Sequence, residues 1–99
     1  MIAGWFDASD AERFGNELAE FYDEKFKANT KAGSHKREEK QKKLIDQLLL
    51  KARQYGATNK PNFFKKAKLG NAFKWKLKDL GYEDELVDLL TKDVLFALR

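Results

Sequence analysis

Hydrophobic residues recur along this chain at intervals of three and four, the period of an α-helix. Ala11, Phe14, Leu18, Phe21, Tyr22 and Phe26 fall on one face, and Glu17, Glu20, Asp23 and Glu24 take the remaining surface. Ser9 with Glu12 three residues later is the pattern of a capping box, so a first helix is predicted over about residues 10–28. Upstream, Ile2, Trp5 and Phe6 have no period and read as an apolar anchor that folds back. Residues 28–35, ANTKAGSH, are polar and include Gly33, which predicts a connecting loop.

A second helix is predicted over about 35–55. Leu44, Ile45, Leu48, Leu49, Ala52 and Tyr55 cover a broad arc, and Leu50 points off it, which suggests burial on more than one side. The first half, HKREEKQKK, has no apolar residue; Glu38 precedes Lys42 by four and Glu39 precedes Lys43 by four, the favourable order for helical ion pairs. That half reads as a solvated extension. Gly56 is expected to stop the helix, leaving 56–60 as a second loop, and Pro61 suits the first turn of the next helix.

The segment 73–78 alternates apolar and basic residues, as a strand does, yet a longer regularity overrides it. On a helix, Phe63, Ala67, Leu69, Gly70, Phe73, Leu77 and Leu80 share one arc, with Lys66 and Lys74 at its edge. A third helix is therefore expected over about 61–80, with a possible split at Gly70–Asn71 and Gly81 as its stop. The fourth, about 82–98, carries Glu83, Asp84 and Glu85 in its first turn, where carboxylates suit the helix dipole. Leu86, Leu89, Leu90, Val94 and Ala97 continue its apolar stripe, and Thr91 and Asp93 suggest a break. The expected architecture is a single all-α domain, residues 1–99, a compact bundle of four to five helices. Its core is expected to come from Phe14, Leu18, Phe21, Leu44, Leu48, Phe73, Leu77, Leu86, Leu90 and Val94.

Charge adds an asymmetry to this pattern. Residues 1–33 carry a net charge of −3, residues 34–81 of +10 and residues 82–99 of −3. A basic middle between acidic ends reads either as a phosphate-binding face or as acidic helices packed beside basic ones. There is no cysteine, which excludes a disulfide framework, a thiolate metal site and a Cys nucleophile. The N-terminal stretch lacks a positive n-region, and no apolar run approaches the ~18 residues of a membrane span, so a cytoplasmic protein is expected.

Catalytic patterns are missing. His35 is the single histidine and sits in or beside a polar loop, while Ser9 and Ser34 read as helix caps. Glu17, Glu20 and Glu24 share a helix face but lack the Glu-x-x-His partners of a di-iron bundle, so they read as solvated. No glycine cluster matches a phosphate-binding loop. The register of apolar residues after Ala52 and Gly56 does not fit a helix-turn-helix. The expectation is a protein that is not an enzyme, with no cofactor, no metal and no small-molecule substrate.

What the core arc leaves over is Phe64 and Trp75, three turns apart on one side of the third helix, bordered by Lys68 and Lys78. They either pack beneath the N-terminal residues or the first helix, or form a partner-binding strip, or stack nucleic-acid bases. The reading adopted is a protein-binding or self-associating module that uses Phe64, Trp75, Lys68 and Lys78. The alternative is a nucleic-acid-binding protein that uses Lys65, Lys68, Lys76 and Lys78 within the basic middle, residues 34–81.

Overall fold

The computed structural model describes residues 7–30 and 34–99, without the side chains of Ser34 and His35. Four helices account for almost all of it: α1 (Ser9–Asn29), α2 (Ser34–Asn59), α3 (Phe63–Asp79) and α4 (Asp84–Ala97). Among the described residues there is no strand, and residues 73–78 lie inside α3. The expected anchor, residues 1–6, lies outside the described residues.

Helix contacts close a ring in the order α1–α3–α4–α2, with α2 and α3 across one diagonal. Hydrogen bonds and ring contacts give the directions. Gln41 meets Tyr22 and Tyr55 meets Phe14, so α2 runs antiparallel to α1. Gly15 faces Leu69 and Ala72, and Glu20 faces Lys76, so α3 runs parallel to α1. Two close approaches make this possible. A Cβ on Gly15 would stand 2.4 Å from the Leu69 carbonyl oxygen, and one on Gly56 would stand 2.4 Å from that of Leu98.

Those approaches explain two departures from the sequence reading. Gly56 does not end α2, which continues to Asn59, because this glycine makes room for the α4 backbone. The connection shrinks from 56–60 to residues 60–62, and Lys60 takes the left-handed turn at φ 45°. Nor does Gly70 split α3. It is buried inside one unbroken helix, where a Cβ would meet Leu95 at 3.0 Å.

The caps differ from expectation at one end and agree at another. The capping box at Ser9 does not form. Ala8 is the N-cap, and the Asp7 carboxylate accepts from the Ser9 amide at 3.2 Å and its hydroxyl at 2.8 Å. The Ser9 hydroxyl bonds, and then the amide bond, hold Asp7 below the ordinary carboxylate range. Pro61 lies before α3 and not in its first turn; Asn62 caps the helix by accepting from the Lys65 amide at 2.8 Å. Gly81 does end α3. With φ 96° it lets the Gly81 amide reach Lys78 and the Tyr82 amide reach Leu77, the paired bonds of a Schellman turn.

The core is contributed by all four helices: Leu18, Ala19 and Tyr22, then Leu44, Leu48 and Ala52, then Leu69, Phe73 and Leu77, then Val87, Leu90 and Val94. Phe14, Phe21 and Leu86 were expected inside and sit half-buried at its edge. In α4 the buried stripe is shifted: Val87 and Leu98 are inside, whereas Leu89 is exposed. Leu50 is also exposed, so α2 is buried on one side only. Thr91 does not break α4, because its hydroxyl donates to the Val87 carbonyl one turn back at 2.7 Å. Phe63 and Ala67 leave the core arc for solvent, since α4 reaches α3 at Gly70 and ends at Ala97 without extending over the first turn of α3. The start of α2 is solvated as expected, from Lys36 to Lys40. Among the described residues, however, no ion pair joins Glu38 to Lys42 or Glu39 to Lys43.

Candidate interaction surface

Leu69, Phe73 and Leu77 turn one face of α3 inward, so residues 64 and 75 leave the helix on the other side. Trp75 is 58% exposed, and the Lys78 ammonium lies 5.1 Å from its ring centroid. Phe64 is half-buried against the core, with the Lys68 ammonium 5.5 Å from its centroid. The two rings are therefore unequal: Trp75 presents an indole to solvent, whereas Phe64 contributes to packing. Each cation over an exposed ring contributes about 0.5–1 kcal/mol and fixes a lysine that otherwise samples many rotamers.

The four lysines of the nucleic-acid reading do not form one face. Lys76 lies beside α1, its ammonium 3.9 Å from the Glu20 carboxylate. Lys78 lies beside α4, 3.7 Å from Asp84, and Lys74 follows the same side, 3.8 Å from Asp88. Lys65 lies near Asp7 and adds a small electrostatic pull to its lowered pKa. Lys68 lies over the Phe64 ring, and among the described residues it forms no ion pair. The acidic helices thus flank the basic one and neutralise part of its charge locally, though pairs at these separations add little stability.

A polar cluster at the far end of α1 has no counterpart in the sequence reading. Tyr82 donates to the Asp23 carboxylate at 2.8 Å, and Lys27 reaches its other oxygen at 3.0 Å. Tyr22, fully buried, accepts from the Gln41 amide at 2.6 Å. The rings of Tyr22, Phe26 and Tyr82 pack edge-on or stacked with centroids 5.5–5.9 Å apart. No local pattern announces a contact across 59 residues. Burial raises the pKa of Tyr22, and burial followed by the Asp23 bond raises that of Tyr82. At Asp23 burial acts upward, but the bonds from Lys27 and Tyr82 outweigh it and the net shift is downward.

This fixes the sign of the pH dependence. A lowered carboxylate stabilises the fold above its unfolded pKa, near 4, and that contribution is lost as pH falls through the folded value. A raised phenol contributes fully below about pH 10 and is lost as pH rises beyond it. Tyr82→Phe is expected to lower stability by about 1 kcal/mol at pH 7 and to flatten the acid limb below pH 4. Urea titrations of both proteins at pH 3, 5 and 7 check this; an unchanged acid limb would remove the cluster from the account.

Elsewhere the surface offers shallow grooves. One, about 500 Å³, runs between α3 and α4. Another of about 380 Å³ lies between α2 and α4 and includes Phe96, over which Arg99 stacks at 4.5 Å. Glu17, Glu20 and Glu24 are exposed, and among the described residues no three His, Asp or Glu side chains converge on a metal position. Among the same residues no helix is long and apolar enough to cross a membrane. No protein-family model, curated protein or solved structure matches this chain.

Proposed function

We propose that this chain is a non-catalytic binding module of the cytoplasm that engages a protein partner, or a second copy, through the outer face of α3. The observation that carries the reading is Trp75. Its indole stands 58% exposed on a helix whose opposite face buries Leu69, Phe73 and Leu77, with Lys78 over the ring. An exposed tryptophan on an ordered scaffold offers large contact area at little conformational cost, which is why Trp dominates interface hot spots. Lys68 and Lys78 supply a charged rim, and Phe64, three turns from Trp75, packs against the core. Any catalytic reading would need a convergent acid, base or nucleophile, and the polar groups of the Asp23 cluster bond to one another instead.

The nucleic-acid reading draws on the +10 charge of residues 34–81. It is the weaker proposal, because Lys76 and Lys78 of its four residues lie close to carboxylates and lean toward different helices. The two readings separate by salt. Phosphate contacts give log affinity that falls with log salt at roughly −0.9 per phosphate, whereas a Trp-centred protein contact gives a shallow slope.

Affinity capture from the native cell, run with and without nuclease, tests the proposal against Trp75→Ala. The expected result is a nuclease-resistant partner, or a second copy of the chain, that is lost with Trp75→Ala. A partner lost on nuclease treatment but retained by Trp75→Ala would transfer the function to the lysines.

A further inference from the structure

The most exposed large hydrophobic side chain among the described residues is Phe63, at 85%, and it lines the α3–α4 groove. The floor is apolar: Ala67 and Leu95 line it, and Leu95 packs closely on Gly70, where a Cβ would meet its side chain at 3.0 Å. Lys66 and Lys74 supply cations around that floor, and Arg99 borders it with its guanidinium over Phe96. No Asp or Glu lines the groove, although the Asp88 carboxylate lies 3.8 Å from the Lys74 ammonium. This is unusual for its position, because α4 otherwise carries Asp84, Glu85, Asp88 and Asp93.

From this arrangement we infer that the α3–α4 groove docks an acidic segment of a partner protein, with a large apolar side chain of that segment seated against Phe63, Ala67 and Leu95. The charge of the groove is complementary to carboxylates, and its floor is complementary to one anchor residue. Along α3 the site runs from Phe63 to Lys74, about 17 Å at 1.5 Å per residue, which matches three turns of a bound helix. A duplex fits less well. Its phosphates would take up the cations but leave the apolar floor without a partner. The surface is separate from Trp75 and does not rest on it.

The test is selection of a displayed library of random 16-residue peptides on the intact chain. The expected winners carry several Asp or Glu around a Leu, Phe or Trp. Their affinity is expected to fall at least tenfold with Phe63→Ser and with Lys66→Glu, and to stay within twofold with Trp75→Ala. All three substitutions are at helix-surface positions, and unchanged helical circular dichroism shows that each variant is folded. The inference is overturned if no acidic peptide is enriched or if acidic winners ignore both substitutions. Displacement of the winners by a single-stranded oligonucleotide of equal charge would make this a polyanion site and overturn it as well. So would sedimentation of the chain alone showing a dimer that Phe63→Ser abolishes, since the occupant would then be a second copy.

Discussion

Phe73→Ala is expected to lower the unfolding free energy by about 3–5 kcal/mol. Phe73 has no exposed surface and sits between Leu69 and Leu77 on the inner face of α3. Its backbone amide lies 3.1 Å from where a Cβ on Gly15 would stand, so α1 is already at closest approach and cannot collapse into the space a lost ring leaves. The cavity penalty therefore adds to the lost transfer energy. A domain of this length has about 5–15 kcal/mol in total, so the variant retains little margin. Thermal unfolding followed by circular dichroism checks it, with an expected fall in Tm of at least roughly 12 °C. A fall of only a few degrees would mean that α3 is not packed as described.

The second large effect is at Gly15. Helix propensity alone would make Gly15→Ala stabilising by about 1 kcal/mol. The structure reverses the sign, because the new Cβ would meet a backbone carbonyl oxygen at 2.4 Å and the Ala72 Cβ at 3.0 Å. A carbonyl in a helix cannot rotate away as a side chain can, so the two helices must separate. Gly15→Ala is expected to cost about 1–3 kcal/mol net, and Gly15→Leu at least about 3 kcal/mol. Chemical denaturation of both variants measures the pair. A Gly15→Ala protein more stable than the parent would show that α1 and α3 are further apart than this.

These two positions also illustrate what the sequence could and could not disclose. The inward placement of Phe73, Leu77, Leu18 and Leu48 was legible because each belongs to a repeating three-four spacing that extends over several turns. Gly81 was legible as a helix end because its neighbours leave the helical pattern just there. Gly56 and Gly70 were not, since a glycine that ends a helix and one that admits a neighbouring backbone look alike in one dimension. The exposure of Phe63 was hidden for a similar reason: periodicity gives the direction of a side chain but not the point where the covering helix stops. The Tyr82–Asp23 bond depends on the path of the whole chain.

For the candidate surface, the direction of Trp75 was readable from its offset to the core arc, and its 58% exposure agrees with that offset. Phe64 has a similar helical angle yet is half-buried, so angle alone did not separate the two rings. Charge counted along the chain allows both a phosphate-binding face and acidic helices packed beside basic ones, and the ion pairs of α3 favour the second. Glu20, Asp84 and Asp88 come from helices distant in sequence and adjacent in space.

The central claim is that Trp75 is an interaction residue and not a structural one. The most direct measurement compares Trp75→Ala with the parent for unfolding free energy and for capture of the nuclease-resistant partner or second copy. The expected result is a change in stability within about 0.5 kcal/mol, as for an ordinary surface position, together with loss of capture. Contradiction would come from the reverse pattern: stability lowered by about 2 kcal/mol or more, with capture per folded molecule unchanged.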